Sequence, residues 1–188
     1  MSKLTEKVAL VTGGSRGIGA AIAKRLAADG ASVAITYAKD ASAASAVVRA
    51  IEHNGGKAVA IQADAADVEA VKRAVEKTVA TFGRLDVLVN SAGTAIPKPF
   101  EETTLEEMDR VIDINLRGVL ATTQAALKHM NNGGRIIMIG SAVGERAVAP
   151  GLVPYAATKG AVKMFTQALS REVGSRGEIG RASCRERV

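Results

Sequence analysis

At 188 residues, 47% of them apolar, the chain has the size of one domain on a scale of roughly 150 residues each, and enough apolar surface for a sizeable core. Ordinary glycine, proline and charge content, and no apolar run near the roughly 20 residues of a membrane span, exclude collagen-like, disordered and membrane-spanning classes. The net charge of +6 raises the question of nucleic acid, but the basic residues are scattered and three Phe, two Tyr and no Trp leave little for bases to stack on, so no nucleic-acid partner is expected. Met1 to Glu6 has no apolar leader pattern, so a cytoplasmic protein is expected. Lys7 to Thr12 then reads as a buried strand, Gly17 to Ala28 as a helix ended by Asp29-Gly30, and Ser32 to Tyr37 as a second strand. A helix over Ala41 to His53 is stopped by Asn54-Gly55-Gly56; strand Lys57 to Gln62, helix Asp67 to Phe82 and strand Leu85 to Asn90 follow. Thr104 and Glu107 predict a capping box, opening a helical stretch to about Leu116 that continues after Gly118 to Met130. Asn132-Gly133-Gly134 precedes a strand over Arg135 to Ile139, and a last helix runs from about Pro154 to Val173.

Strands alternating with helices of this length pair in parallel through right-handed crossovers, which makes an α/β doubly wound sheet with helices on both faces. Ligands in such sheets bind at the carboxyl ends of the strands, so the loops there come first. Thr12-Gly13-Gly14-Ser15-Arg16-Gly17-Ile18-Gly19 follows a strand and opens a helix, the context of a dinucleotide fingerprint. Gly13 allows the tight turn, Gly17 lets the backbone approach a pyrophosphate, and Gly19 lets the helix pack closely, while the helix start offers free N–H groups to the anion. A glycine-rich turn that binds nothing is the plainer alternative. At the end of the second strand, where a carboxylate would hold the ribose hydroxyl of NAD, stands Tyr37; Arg16 and Lys39 lie close by in sequence to pair with a ribose phosphate, unless they simply face solvent. NADPH is therefore expected over NADH.

Tyr155 and Lys159 lie four apart on a predicted helix and share a face, where an ammonium beside a phenol favours phenolate. A free tyrosine titrates near pH ~10, too high for neutral acid–base work without such a cation. Ser141, just past the fifth strand, is placed to hydrogen-bond a carbonyl oxygen as negative charge develops on it. Taken alone, a Tyr-x-x-x-Lys pair is more often simply surface. His53 and His129 sit late in helices, where a partly charged imidazole suits the dipole, and no metal site is expected.

With these motifs together, the chain resembles the classical short-chain dehydrogenase/reductases, most of all their 3-oxoacyl-[acyl-carrier-protein] reductase-like members. The glycine loop, Asp64 after the third strand, Asn90-Ser91-Ala92-Gly93 after the fourth, Asn115, and Ser141 with Tyr155-Ala156-Ala157-Thr158-Lys159 carry the resemblance, in the family's order over Lys7 to about Gly177. It implies a Rossmann fold, a small carbonyl or alcohol substrate, and assembly as a homotetramer or homodimer. It further implies that Ser15, Ile18, Ala65, Asn90, Ala92 and Gly93 join the glycines around the cofactor, and that Asp64 contacts adenine, although a helix-capping Asp is nearly as plausible there. Lys159 would hold the nicotinamide ribose, and Asn115 a water that relays protons to it. Ser91 stands where the family has Asn, which puts a side-chain bond within that loop in doubt.

After Gly177 the resemblance stops, so the incomplete catalytic domain is expected over 1–177. The tail Glu178 to Val188 holds the only cysteine and three arginines and shows no strand periodicity. Ile179 to Val188 also match, without a mismatch, one reading frame of a widely used sequencing-library adapter, so a non-native tail is expected. Without the family's later strands, Arg135 to Ile139 is expected to be an exposed apolar edge, prone to aggregation. The same loss is expected to leave a dinucleotide half-site with little or no activity, a non-catalytic binding fragment of an enzyme.

Overall fold

The computed structural model describes residues 3–147, 149–174 and 179–182. Strands β1 (Val8–Val11), β2 (Ser32–Tyr37), β3 (Lys57–Gln62), β4 (Leu85–Asn90), β5 (Met130–Met138) and β6 (Ile179–Ala182) form one parallel sheet in the order β3-β2-β1-β4-β5-β6. Helices α1 (Gly17–Ala28), α2 (Ala41–His53), α3 (Val68–Phe82), α4 (Leu105–Ile112), α5 (Gly118–Leu127) and α6 (Val153–Val173) complete the α/β doubly wound fold. The order reverses between β1 and β4, which opens a crevice at the strand ends there.

Helices on both sides explain why the strands read as apolar runs rather than alternating ones. Leu10, Ala34, Leu88, Ile136 and Met138 face one core with Val75, Val119, Ala126, Val162 and Leu169 from α3, α5 and α6. Ala9, Val11, Val33, Ile35, Val87 and Val89 face the other with Ala20, Ala23 and Ala27 of α1 and Ala44, Val47 and Ile51 of α2. Asp40 caps α2 by accepting from the Ala43 N–H (2.8 Å), and Asp67 caps α3 through Ala70 N–H (2.9 Å). Thr104 and Glu107 form the expected capping box on α4.

Three expectations change. The predicted helix through Leu116 and Gly118 is interrupted by a wide π-helical turn, Asp113–Arg117. Met130, expected in a helix, begins β5 opposite Leu85; the register then shifts, and Arg135 pairs with Val87 across a bulge that holds Asn132-Gly133-Gly134. Burial of the Met130 side chain in the core draws the chain into the sheet early. Last, β5 is not an edge and the tail is not strandless, because Ile179–Ala182 pairs in parallel with Arg135–Met138. The chain thus lies along the open side of β5, where main-chain groups at a sheet edge accept an extended segment.

Below the bulge, Asp86 ties the starts of β1 and β4 together. It accepts from Arg84 Nε (2.8 Å) and Nη2 (2.6 Å), from the Val8 N–H (3.0 Å) and from Lys7 Nζ (3.4 Å). Burial pushes its carboxyl up, but the Arg84 guanidinium, the Val8 N–H and Lys7 together hold it below its ordinary value of 3.8. A depressed native pKa stabilises the fold above the ordinary value, and that contribution is lost as pH falls through the native one. Asp86→Asn is thus expected to lower stability at neutral pH by about 1 kcal/mol. The gap from the unaltered protein should close on acidification below about pH 4, read from urea unfolding at both pH values.

Candidate active site

The crevice at the β1–β4 reversal is a cleft of about 680 Å³, within the range of roughly 300–1,000 Å³ usual for small-molecule and cofactor sites. Gly13, Ser15, Arg16, Gly17, Ile18, Gly19, Tyr37, Lys39, Asp64, Ala65, Ala92 and Gly93, all designated from sequence, line it. Its floor is the turn from β1 into α1. Gly13 has φ +65°, and a Cβ there would stand 2.8 Å from Ala92 Cα, so only glycine lets the loops after β1 and β4 approach this closely. A Cβ on Gly19 would fall on the Gly13 carbonyl oxygen, so the helix packs on the turn itself. Gly17, at φ +54°, meets nothing within 4 Å and faces open space.

Arg16 occupies the cap position of α1 with extended backbone and supplies no side-chain cap, so the first N–H groups of the helix are left for another acceptor. The polar frame around them includes two threonines that sequence reasoning missed. Thr12 Oγ1 accepts from the Ser91 N–H (3.0 Å) and the Ala92 N–H (3.1 Å), and Thr36 Oγ1 accepts from the Gly13 N–H (3.1 Å). A threonine at the end of a buried strand, directly before a glycine turn, is the signal that could have found Thr12; Thr36 carries no such signal. Ser91 enters this network through its backbone. At the far end, Arg16 and Lys39 line the cleft beside Tyr37, and neither makes an ion pair among the described residues. Asp64 does not cap α3, a role taken by Asp67, but lines the cleft and pairs with Arg110 at 2.9 Å. An open turn, helix N–H groups without a side-chain cap and the cations Arg16 and Lys39 fit a phosphorylated dinucleotide.

Asn90, Asn115, Ser141, Tyr155 and Lys159 stand outside the walls of this cleft. Asn90 is buried, its Nδ2 donating to Thr123 Oγ1 (3.0 Å) and directed at Met138 Sδ (3.2 Å), so its amide ties the end of β4 to α5 and β5. The other four gather where β4, β5 and α6 meet. Asn115, on the π turn, accepts from the Thr94 N–H and donates to the Thr94 carbonyl, both at 2.8 Å. Its Nδ2 also donates to Thr158 Oγ1 (3.2 Å), which donates to the Tyr155 carbonyl (2.7 Å). Lys159 is buried; its Nζ donates to the Ile139 carbonyl (2.7 Å) and lies 5.7 Å from the centre of the Tyr155 ring. A Cβ on Gly93 would stand 3.4 Å from Asn115 Oδ1 and 4.0 Å from Lys159 Nζ, so the edge of the cleft and this cluster adjoin. Ser141 and Lys159 also border a separate cavity of about 190 Å³, beside the ion pair of Glu145 and Lys163.

The sequence pattern of the family described as short chain dehydrogenase matches residues 7–182. The chain is 49% identical over 176 residues to an uncharacterized oxidoreductase of Methylorubrum extorquens, covering 94% of this chain and 71% of that protein. It is 45% identical over 179 residues to a 3-oxoacyl-[acyl-carrier-protein] reductase of Synechocystis, with coverage of 94% and 72%. A crystal structure of a short chain dehydrogenase from Burkholderia cenocepacia in complex with NADP superposes with a TM-score of 0.92 at 51% identity, over 94% of this chain and 72% of that one. Other curated relatives are longer still, the chain spanning as little as 63% of their length.

Proposed function

Since this chain belongs to the short chain dehydrogenase family, we propose that the whole protein transfers hydride between NADP(H) and a small carbonyl or alcohol substrate, such as a 3-oxoacyl thioester, with Tyr155 as general acid and base. The observation that carries the reading is the Asn115–Thr158–Tyr155–Lys159 cluster set against the edge of an open glycine-turn cleft. When bound there, the dinucleotide would supply the hydride. Gly17, Ile18 and Gly19 would hold the pyrophosphate through the α1 N–H groups, with Ser15 beside them and Gly13 shaping the turn beneath. Asp64 and Ala65 would bound the base, while Ala92 and Gly93, just after Asn90 at the end of β4, would bound the nicotinamide.

Reduction puts negative charge on the substrate oxygen as hydride reaches its carbon. Ser141 would hydrogen-bond that oxygen and Tyr155 would give it the phenolic proton. Lys159 would favour the resulting phenolate and hold the nicotinamide ribose, and Asn115 would keep a water that returns a proton toward Lys159. Recovery of NADPH oxidation with a ketone panel tests the reading. Binding without turnover would instead favour the non-catalytic, nucleotide-binding alternative.

Preference for NADPH over NADH belongs to the same proposal and is supported by Arg16 and Lys39, which line the cleft beside Tyr37. Removing both cations by Arg16→Ala and Lys39→Ala is expected to weaken NADPH binding by about tenfold for each, and NADH binding hardly at all. Fluorescence titration with both cofactors checks it, and an equal loss for NADH would contradict it. We also propose that Glu178 to Val188 is translated adapter sequence. Amplification of the locus from genomic DNA tests this, and finding those codons in the genome would contradict it.

A further inference from the structure

Arg110 carries none of the sequence motifs, yet its guanidinium closes the base end of the cleft. Its Nη2 donates to both carboxylate oxygens of Asp64, at 3.2 Å and 2.9 Å, from α4, 46 residues along the chain. Asp64 Oδ1 also accepts from the Ala66 N–H (3.0 Å). A carboxylate has about four acceptor sites, two on each oxygen. Oδ1 is filled by Arg110 and Ala66, whereas Oδ2 holds one bond from Arg110 and has one site left beside the cleft. Burial pushes the Asp64 carboxyl up, but the Ala66 N–H, Arg110 and the nearby charge of Lys39 more than offset it, so the group stays an acceptor.

The same helical run meets the cleft loops three times. Arg110 holds Asp64, Asn115 holds Thr94, and Gly118 packs so tightly on the Ala65 carbonyl that a Cβ there would collide with it. On an unbroken α-helix, residues 110 and 118 would point about 80° apart. The π turn at Asp113–Arg117 absorbs roughly one extra residue and brings them within about 20° of a common face. The wide turn thus lets one rigid element bring both Arg110 and Gly118 against the Asp64–Ala65 loop.

We propose that Arg110 is a positioning residue that fixes the Asp64 carboxylate so its free Oδ2 site accepts from an exocyclic amine, selecting adenine over a base that presents a carbonyl in that place. This rests on the dinucleotide reading of the cleft. The test is fluorescence titration of the full chain with NADPH, its hypoxanthine analogue and reduced nicotinamide mononucleotide. The unaltered chain is expected to prefer NADPH to the hypoxanthine analogue by about tenfold, the worth of one charge-assisted hydrogen bond. Arg110→Ala should erase most of that preference by weakening NADPH alone and leave the mononucleotide unaffected, while Arg110→Lys, which keeps the charge without the fork, should restore part of it. The pair is 43% and 33% exposed, so melting temperature should move little. Should Arg110→Ala fail to fold, Asp64→Asn with Arg110 intact decides, and is expected to lose the same preference. An unchanged preference in Arg110→Ala, or an equal loss for all three ligands, would overturn the proposal. Absence of NADPH binding by the unaltered chain would overturn the dinucleotide reading and this inference together.

Discussion

Tyr155→Phe is expected to lower turnover by about a hundred- to ten-thousandfold while leaving NADPH affinity unchanged. The substitution removes one oxygen and little else. Thr158 bonds the backbone carbonyl of residue 155, which Phe retains, and the Lys159 ammonium donates to the Ile139 carbonyl. The ring would keep its place 5.7 Å from the ammonium. What is lost is the proton that must reach the substrate oxygen as hydride arrives. Steady-state kinetics beside a direct NADPH titration separates the two effects. Turnover within a few-fold of the unaltered protein would remove Tyr155 from the chemistry.

Gly19→Val is expected to produce the largest loss of cofactor binding, at least about a hundredfold, because it acts on the turn and the helix together. Its Cβ would fall on the Gly13 carbonyl oxygen, 3.0 Å from Gly13 C and 3.2 Å from Gly14 Cα, all of them backbone atoms. A flexible side chain could swing aside; a turn clasped by Thr36 and pressed on Ala92 cannot. Overpacking of this kind costs about 1–3 kcal/mol, and parting helix from turn also misaligns the N–H groups that would face the pyrophosphate. Circular dichroism should still report a folded protein, since α1 is covered by its own alanine face on β1 and β2. NADPH binding at unaltered affinity would show that the turn is not where the phosphates sit.

Much of the sheet was legible because parallel strands covered on both faces must be apolar runs, and because glycine, Asn-Gly and capping residues mark the ends of helices. Ser32–Tyr37, Ala41–His53 and Lys57–Gln62 fall where those signals put them. The cleft was legible for the same reason: the glycine turn announces its own conformation, and twelve residues named from sequence do line it. Other features have no local signature. A π turn differs from its neighbours by one hydrogen-bond step, so Asp113–Arg117 reads as ordinary helix. Met130 enters the sheet because its side chain reaches the core, a tertiary effect that overrides the glycines after it. The Arg110–Asp64 pair spans 46 residues and depends on how two loops face each other.

The strand at Ile179–Ala182 escaped for a different reason. Pairing to a free edge uses main-chain groups, so a segment with no alternation of its own can take the place beside β5. Its side chains therefore say little in advance about where it will lie.

The most direct measurement is NADPH oxidation with an acetoacetyl thioester and a panel of small ketones, run on this chain, on the same chain continued to the length of its relatives, and on Tyr155→Phe versions of both. Oxidation by the continued chain alone, dependent on the ketone and abolished with the Tyr155 hydroxyl, is the expected result. Binding of NADPH by every form, with turnover by none, would contradict the reductase and leave a nucleotide-binding protein.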